Sequence, residues 1–446
     1  MSSVVENAAA YVAAQRDSAA QLPGYGLAEI DAGRAAALEQ LSRQGLPSQQ
    51  DEDWKYTSTR SITRAAFKPA SAGATCPSDF IAQSVIEGLN PYRMVFVDGF
   101  LSAALSDLEA LPAHVRLRSL AQVLSEDASS VLPKLGQMLG EPPHGFAAMN
   151  SAFVADGAVV EIEAHQHLER PIELLFVSGC GDEGLVSMPR TLVLMGEGSQ
   201  ATIIERHCSL KEVRSLNNSL VEIDLGKGAV LDYCSLQSPS DRSFHVGGLF
   251  AGLAESATLR ATAVSTSGAL IRNDARINLN GENSTVHLDG CYLVFGRSHV
   301  DNHTHISHNS AECVSRETYK GVLGDRGRAV FHGRIVVKQD AQKTDSEQSN
   351  QNLLLSEEAE IDTKPQLEIY ADDVKCAHGA TVGQLDDLAL FYLVSRGVKR
   401  EHARRMLTQA FAADVLDRVA STPLRQYLQS LASDRLSNAL SASGAS

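Results

Sequence analysis

The sequence predicts a mainly β protein with helical ends whose middle is a right-handed parallel β-helix, and three observations lead there. From about Asn150 to Tyr370 short alternating runs follow one another, among them VVEIEA, IELLFV, ATIIER, LVEIDL, STVHLD and QLEIYA, the period-two pattern of strands. Turn-like pieces recur between them: GEGSQATI from Gly196, GKGAVLDY from Gly226, AESATLRA from Ala254 and GENSTVHL from Gly281 begin roughly 26 to 31 residues apart, with GDRGRAVF from Gly324 read as a later member. The tract also runs to about twice the roughly 100 residues at which a β-sandwich usually stops, whereas a stack of coils lengthens without enlarging its cross-section.

Around this core the sequence divides the chain into residues 1–149, a helical and mixed N-terminal region; 150–372, the β-helix; and 373–446, a small C-terminal helical domain. Ala8 to Gln44 carries Ala and Leu at helical spacing and stops at Gly45. RMVFVDGFLSA sets Asp98 and Gly99 between apolar runs, a hairpin signal. Beyond His378, Asp386 and Asp387 suit the first turn of a helix through LALFYLVSRG, where the backbone dipole favours negative charge. KREHARRMLTQAFAADVLDRV then places Ala403, Met406, Leu407, Ala410, Phe411 and Val415 on one stripe, and Thr422 before Pro423 opens a last helix with Leu424, Tyr427, Leu428 and Leu431 on its apolar side. Two short helices of this kind either pack onto the end of the solenoid or offer a docking face.

Composition narrows the function. The chain has 446 residues, 43% hydrophobic and 21% charged, ordinary for a globular protein, and no apolar run nears the roughly 20 residues needed to span a bilayer. The first residues lack a basic and apolar leader, so a cytoplasmic location is expected, and seven cysteines without such a leader are expected to stay reduced. A formal net charge of -15 repels phosphate backbones and anionic membranes, which argues against nucleic acid as a partner. No G-x-x-x-x-G-K-[ST] and no C-x-x-C pair occur, so the chain carries neither a P-loop of its own nor a multi-cysteine site.

Three stretches hold chemistry. SHVDNHTHISHNSAEC contains His299, Asp301, His303, His305, His308, Glu312 and Cys313; on a strand His303 and His305 share a face, where imidazoles beside carboxylates bind divalent metal, although a polar ladder between coils is the ordinary use of such residues. KQDAQKTDSEQSNQNLLL reads as a solvated loop, with a ladder of amides as the alternative. VKCAHGATVGQLDD places Cys376 two residues before His378, between extended and helical sequence. A nucleophile with its base lacks a third group here, a turn between domains needs neither donor, and as metal ligands one thiolate and one imidazole are half a site that another chain or sulfide must complete.

ETYKGVL (Glu317 to Leu323), the long run DAQKTDSEQSNQNLLLSEEAEIDTKPQLEIYADDVKCAHGATVGQLDDLALFYLVSRG and, more loosely, EDWKYTS (Glu52 to Ser58) resemble the SufB/SufD family of iron-sulfur cluster assembly proteins, on its SufD side. The resemblance implies a parallel β-helix between helical ends, a non-catalytic subunit that pairs with a SufB-like protein through the end of the β-helix, a SufC-like ABC ATPase docked on the C-terminal helices, and self-association when alone. It implies a role in cluster formation for His378 and an accessory one for Cys376, with iron or an iron-sulfur cluster shared transiently with the SufB-like chain. A reduced flavin accompanies complexes of this family, and no residue here is assigned to it. A SufB-like paralogue and a β-helix carbohydrate-active enzyme are the alternatives.

Overall fold

The structure, a computed structural model, describes residues 2–443. Its body is a parallel β-solenoid in which successive strands alternate between two sheets, one of 11 strands and one of 10. Strand Leu270–Leu279, for example, pairs in parallel with His299–His308 and that strand with Arg328–Val337, while the intervening Thr285–Val294 and Val314–Leu323 pair with each other in the second sheet. Registers are unbroken, so equivalent residues stack: Ile223, Ala251, Ile277, Ile306 and Ile335 form one column inside the solenoid, all fully buried. Each isoleucine of this column contributes about 1.5–3 kcal/mol by leaving water, which locks its strand against a one-residue slip.

One corner of the coil explains the repeat seen in the sequence. Gly198, Gly228, Ser256, Asn283, Glu312 and Lys343 all take left-handed backbone angles, φ between 58 and 63°. The N–H groups of Gly198, Gly228, Ser256, Glu312 and Lys343 donate to carbonyls of the following coil at 2.6–2.8 Å. Gly281 begins its turn because a Cβ there would sit 1.9 Å from the Glu255 nitrogen. GDRGRAVF does not belong to this series: it follows Val314–Leu323 and leads into Arg328–Val337, at the opposite corner. The true later members are Glu312 and Lys343.

The helical regions coat the outside. Helix Ala28–Gln44 ends at Gly45, φ 69°, as expected. The Asp98-Gly99 turn has positive φ at both residues and closes Tyr92–Val97 onto Phe100–Leu101, but Tyr92–Val97 also pairs in parallel with Ile172–Ser178, so this hairpin extends the solenoid sheet and forms no separate one. At the same end Val115–Ser119 adds antiparallel to Ala158–Ile162. Tyr11, Leu41, Trp54 and Phe146 pack with Val186, Leu216 and Phe244 of the larger sheet. Helices Arg400–Leu416 and Thr422–Ser443 lie along the side of the smaller sheet, Val415, Leu416, Leu424 and Leu428 clustering with Cys234, Val264, Cys291 and Val322. They do not cap the solenoid end. Leu424 and Leu428 of the last helix are buried as expected, with Tyr427 and Leu431 packed beside them. On Arg400–Leu416 Ala403 and Val415 are buried as expected, but Thr408 and Ala412 join them and Met406 is exposed, because small residues let the helix approach both the sheet and its neighbouring helix.

Strands continue to Gly383, past the boundary expected at 372. KQDAQKTDSEQSNQNLLL is no solvated loop either: Asp345–Leu354 is a strand whose Ser346, Gln348, Asn350 and Asn352 are buried inside the solenoid.

The segment Glu52–Ser58 is fastened to the larger sheet by one buried cation. Arg272, 1% exposed, is salt-bridged to Asp274 at 2.9 Å and to Asp301 at 2.6 Å, donates to the Asp53 carbonyl at 2.8 Å and lies 4.3 Å from the centre of the Trp54 ring. Thr57 Oγ1 donates to the same Asp301 carboxylate. Replacing Arg272 by Met leaves two buried carboxylates uncompensated, a loss of about 3–5 kcal/mol. The expected outcome is a lower urea midpoint and faster protease cutting within residues 47–59.

Candidate functional site

Cys376 and His378 lie on the last strand of the smaller sheet, Lys375–Gly383, whose outer edge pairs with nothing among the described residues. Register fixes where they point. Cys376 stands opposite Ser346 and His378 opposite Gln348, both buried inside the solenoid, so the two donors share the inward-facing row of the final coil. No further coil covers that row: Cys376 is half-buried against the core beside Val374, Ile361 and Leu367, and His378 is exposed. The pair therefore sits in the mouth of the solenoid, on a strand, and not at a turn between domains.

Burial raises the Cys376 thiol pKa, the Asp345 charge adds to this, and a hydrogen bond from the Ser346 backbone partly offsets it. It is held as a protonated thiol, and a metal that binds it displaces the proton. Among the described residues neither Cys376 nor His378 joins a group of three or more His, Cys, Asp or Glu donors close enough to hold an ion. Within this chain they are two donors and no more.

Behind His378 a polar column runs into the core. Gln348 Nε2 donates to Glu317 Oε2 at 2.6 Å, and the register carries the row from His378 through Gln348 to Glu317. In the next row Ser346 accepts from Ser315 at 2.8 Å, and Ser315 lies 2.9 Å from His308 Nε2. Asn350, Asn352 and Tyr292 form a third set, Asn350 Nδ2 donating to the tyrosine hydroxyl at 2.9 Å and that hydroxyl to Asn352. The amides and Glu317 were not singled out as site residues by sequence, although their spacing of two along Asp345–Leu354 carries the signal. His299, Asp301, His303 and His305 instead face outward from the larger sheet, while His308 points inward with Val300 and Ile306.

At the two exposed strands and the helix that follows, apolar side chains meet water: Tyr370 is 63% exposed, Val382 48%, Leu388 78%, Phe391 71% and Tyr392 57%. Helix Asp387–Ser395 is capped by Asp386, which accepts from the Leu388 N–H at 2.9 Å, so this display is built on ordered backbone. No helix among the described residues is long and apolar enough to cross a membrane.

The mouth thus defines a β-solenoid protein that is open at one end, with a thiol, an imidazole and an apolar display there. Comparison with known sequences places it. A family model for the SUF system FeS cluster assembly, SufBD core domain, matches residues 177–411, and one for the SufBD protein N-terminal region matches residues 6–174. The chain belongs to the SufB/SufD family of iron-sulfur cluster assembly proteins. It is 34% identical over 401 residues to the iron-sulfur cluster assembly protein SufD of Escherichia coli, covering 90% of this chain and 91% of that protein. It is 30% identical over 411 residues to a SufBD family protein of Synechocystis, covering 90% of each, and 26% identical over 296 residues to SufD of Bacillus subtilis, covering 65% and 66%.

Glu317 makes the column pH-sensitive. Burial pushes its carboxyl up to about 7 from 4.5, against the hydrogen bond from Gln348. A folded-state pKa raised in this way favours the protonated acid, so the stability it contributes is present below 4.5 and is lost as pH rises through about 7. Between pH 4.5 and pH 8 the unfolding free energy of Glu317→Gln is expected to rise by about 3 kcal/mol relative to that of the wild type, a difference in which the opposing contribution of buried histidines such as His308 cancels.

Proposed function

We propose that this chain is a SufD-type scaffold subunit of an iron-sulfur cluster assembly complex. Its open end pairs with the end strands of a SufB-type solenoid, its C-terminal helical region docks a SufC-type ATPase, and iron enters at the junction beside Cys376 and His378. The observation that carries the reading is the uncovered last coil: Glu360–Ile369 and Lys375–Gly383 each present an unpaired edge, and the core residues Ile361, Leu367 and Val374 behind them are only half-buried. A row of free N–H and C=O groups over a half-covered apolar core is a template for another strand. A second solenoid stacked there completes both sheets and brings its own donors against Cys376 and His378.

Iron is cargo in this scheme. A neutral imidazole holds Fe(II) and releases it on protonation, and a thiolate suits iron and cluster sulfide chemistry. The exposed Leu388, Phe391 and Tyr392 supply the apolar surface for the ATPase, whose nucleotide-driven closure moves the helical region and opens the junction to iron.

Three variants, each co-expressed with SufB- and SufC-type subunits, separate these parts. Val382→Asp puts a charge on the unpaired edge and is expected to abolish elution with the SufB-type chain on size exclusion. Phe391→Asp is expected to lose the ATPase while keeping that pairing. His378→Ala is expected to assemble normally and yield several-fold less cluster by visible absorption; an unchanged yield means that the imidazole is structural.

A further inference from the structure

On the outer face of the larger sheet, one strand in from its open edge, His303 and His332 stand directly opposite each other on adjacent strands, their ring centres 4.8 Å apart. The turn Glu52–Trp54 crosses above them and brings Asp53 close, so that one donor atom from each of Asp53, His303 and His332 lies within 4.8 Å of the others. We propose that Asp53, His303 and His332 bind one divalent first-row transition-metal ion that clips the N-terminal segment to the outside of the solenoid.

Four features carry this. Two imidazoles and one carboxylate are a donor set that zinc, iron(II) and cobalt(II) accept, with solvent completing the shell. Nε2 of His332 is buried with no hydrogen-bond partner, a cost an ion removes. Nε2 of His303 lies 3.1 Å from Asp301, and a carboxylate behind an imidazole orients a ligand ring and strengthens it as a donor. Finally, Glu52, Asp53, Asp301 and Asp362 line a cavity of about 150 Å³ here, whose Lys364 is already paired with Glu52 at 3.0 Å. Arg272 faces Asp301 from beneath and is itself occupied by Asp274. The cavity therefore favours a cation. Asp53 is exposed and supplies the small movement needed to bring donors within about 4.2 Å, twice a metal–nitrogen bond.

The test is Co(II) titration of the metal-free full-length chain, followed by visible absorption. His378→Ala serves as the background, so that the half-site in the mouth does not contribute. One Co(II) is expected to bind per chain, displaced by Zn(II), with at least a tenfold loss of affinity in His332→Gln and His303→Gln and a smaller loss in Asp53→Asn. Bound Co(II) is also expected to slow protease cutting within residues 47–59, and His332→Gln to remove that protection. Should His303→Gln unfold by circular dichroism, the half-exposed His332 and exposed Asp53 positions carry the test. The proposal is overturned if the His378→Ala background binds no Co(II), or if His332→Gln binds it as well as that background does.

Discussion

Each coil of this protein is held to the next by parallel backbone hydrogen bonds in an unbroken register, and every functional feature inherits its position from that register. Because a strand cannot slip by one residue without turning its aliphatic column outward, the side chain at a given place in one coil is fixed above its counterpart in the next. Ile277, Ile306 and Ile335 are the apolar expression of this rule. Glu317, Gln348 and His378 are its polar expression. The left-handed residue at the coil corner adds a further bond to the following coil, which sets the pitch of the whole stack.

The interior is not uniformly apolar. The last complete strand of the smaller sheet, Asp345–Leu354, turns serine, glutamine and asparagine inward. Such residues are tolerated in a core only when they bond to one another, and they do so coil to coil through Ser315 with Ser346, Glu317 with Gln348, and Tyr292 with Asn350 and Asn352. A second interior polar set, Glu205 with His207, Ser219 and Tyr233, lies in the earlier coils and is bonded in the same way.

The β-solenoid was legible because its signal is local and repeated: period-two runs, and corners marked by residues such as Gly228 and Asn283 that accept positive φ. What resisted reading was anything set by the coil as a whole. Both corners use glycine, so GDRG looked like a member of the wrong series, and the polar strand Asp345–Leu354 resembled a loop because its inward face is not apolar. Cys376 and His378 were identified through resemblance as well as residue type, but their strand was missed: a terminal coil is not buried, so VKCAHGATVG lacks the alternation that burial imposes. His303 was visible as part of a histidine-rich run, whereas its neighbour His332 becomes apparent only when one coil length is added to it. Asp53 arrives from a segment with no periodic relation to either.

The two ends of the stack are finished differently. At the first, Val115–Ser119 and the Phe100–Leu101 return run antiparallel to their neighbours and blunt the sheets, while at the other end both sheets simply stop. Were a second solenoid to stack on the open end, the chain would act as a chain stopper in that direction: only one end offers full-length parallel edges, so stacking would halt at two units instead of propagating into a filament.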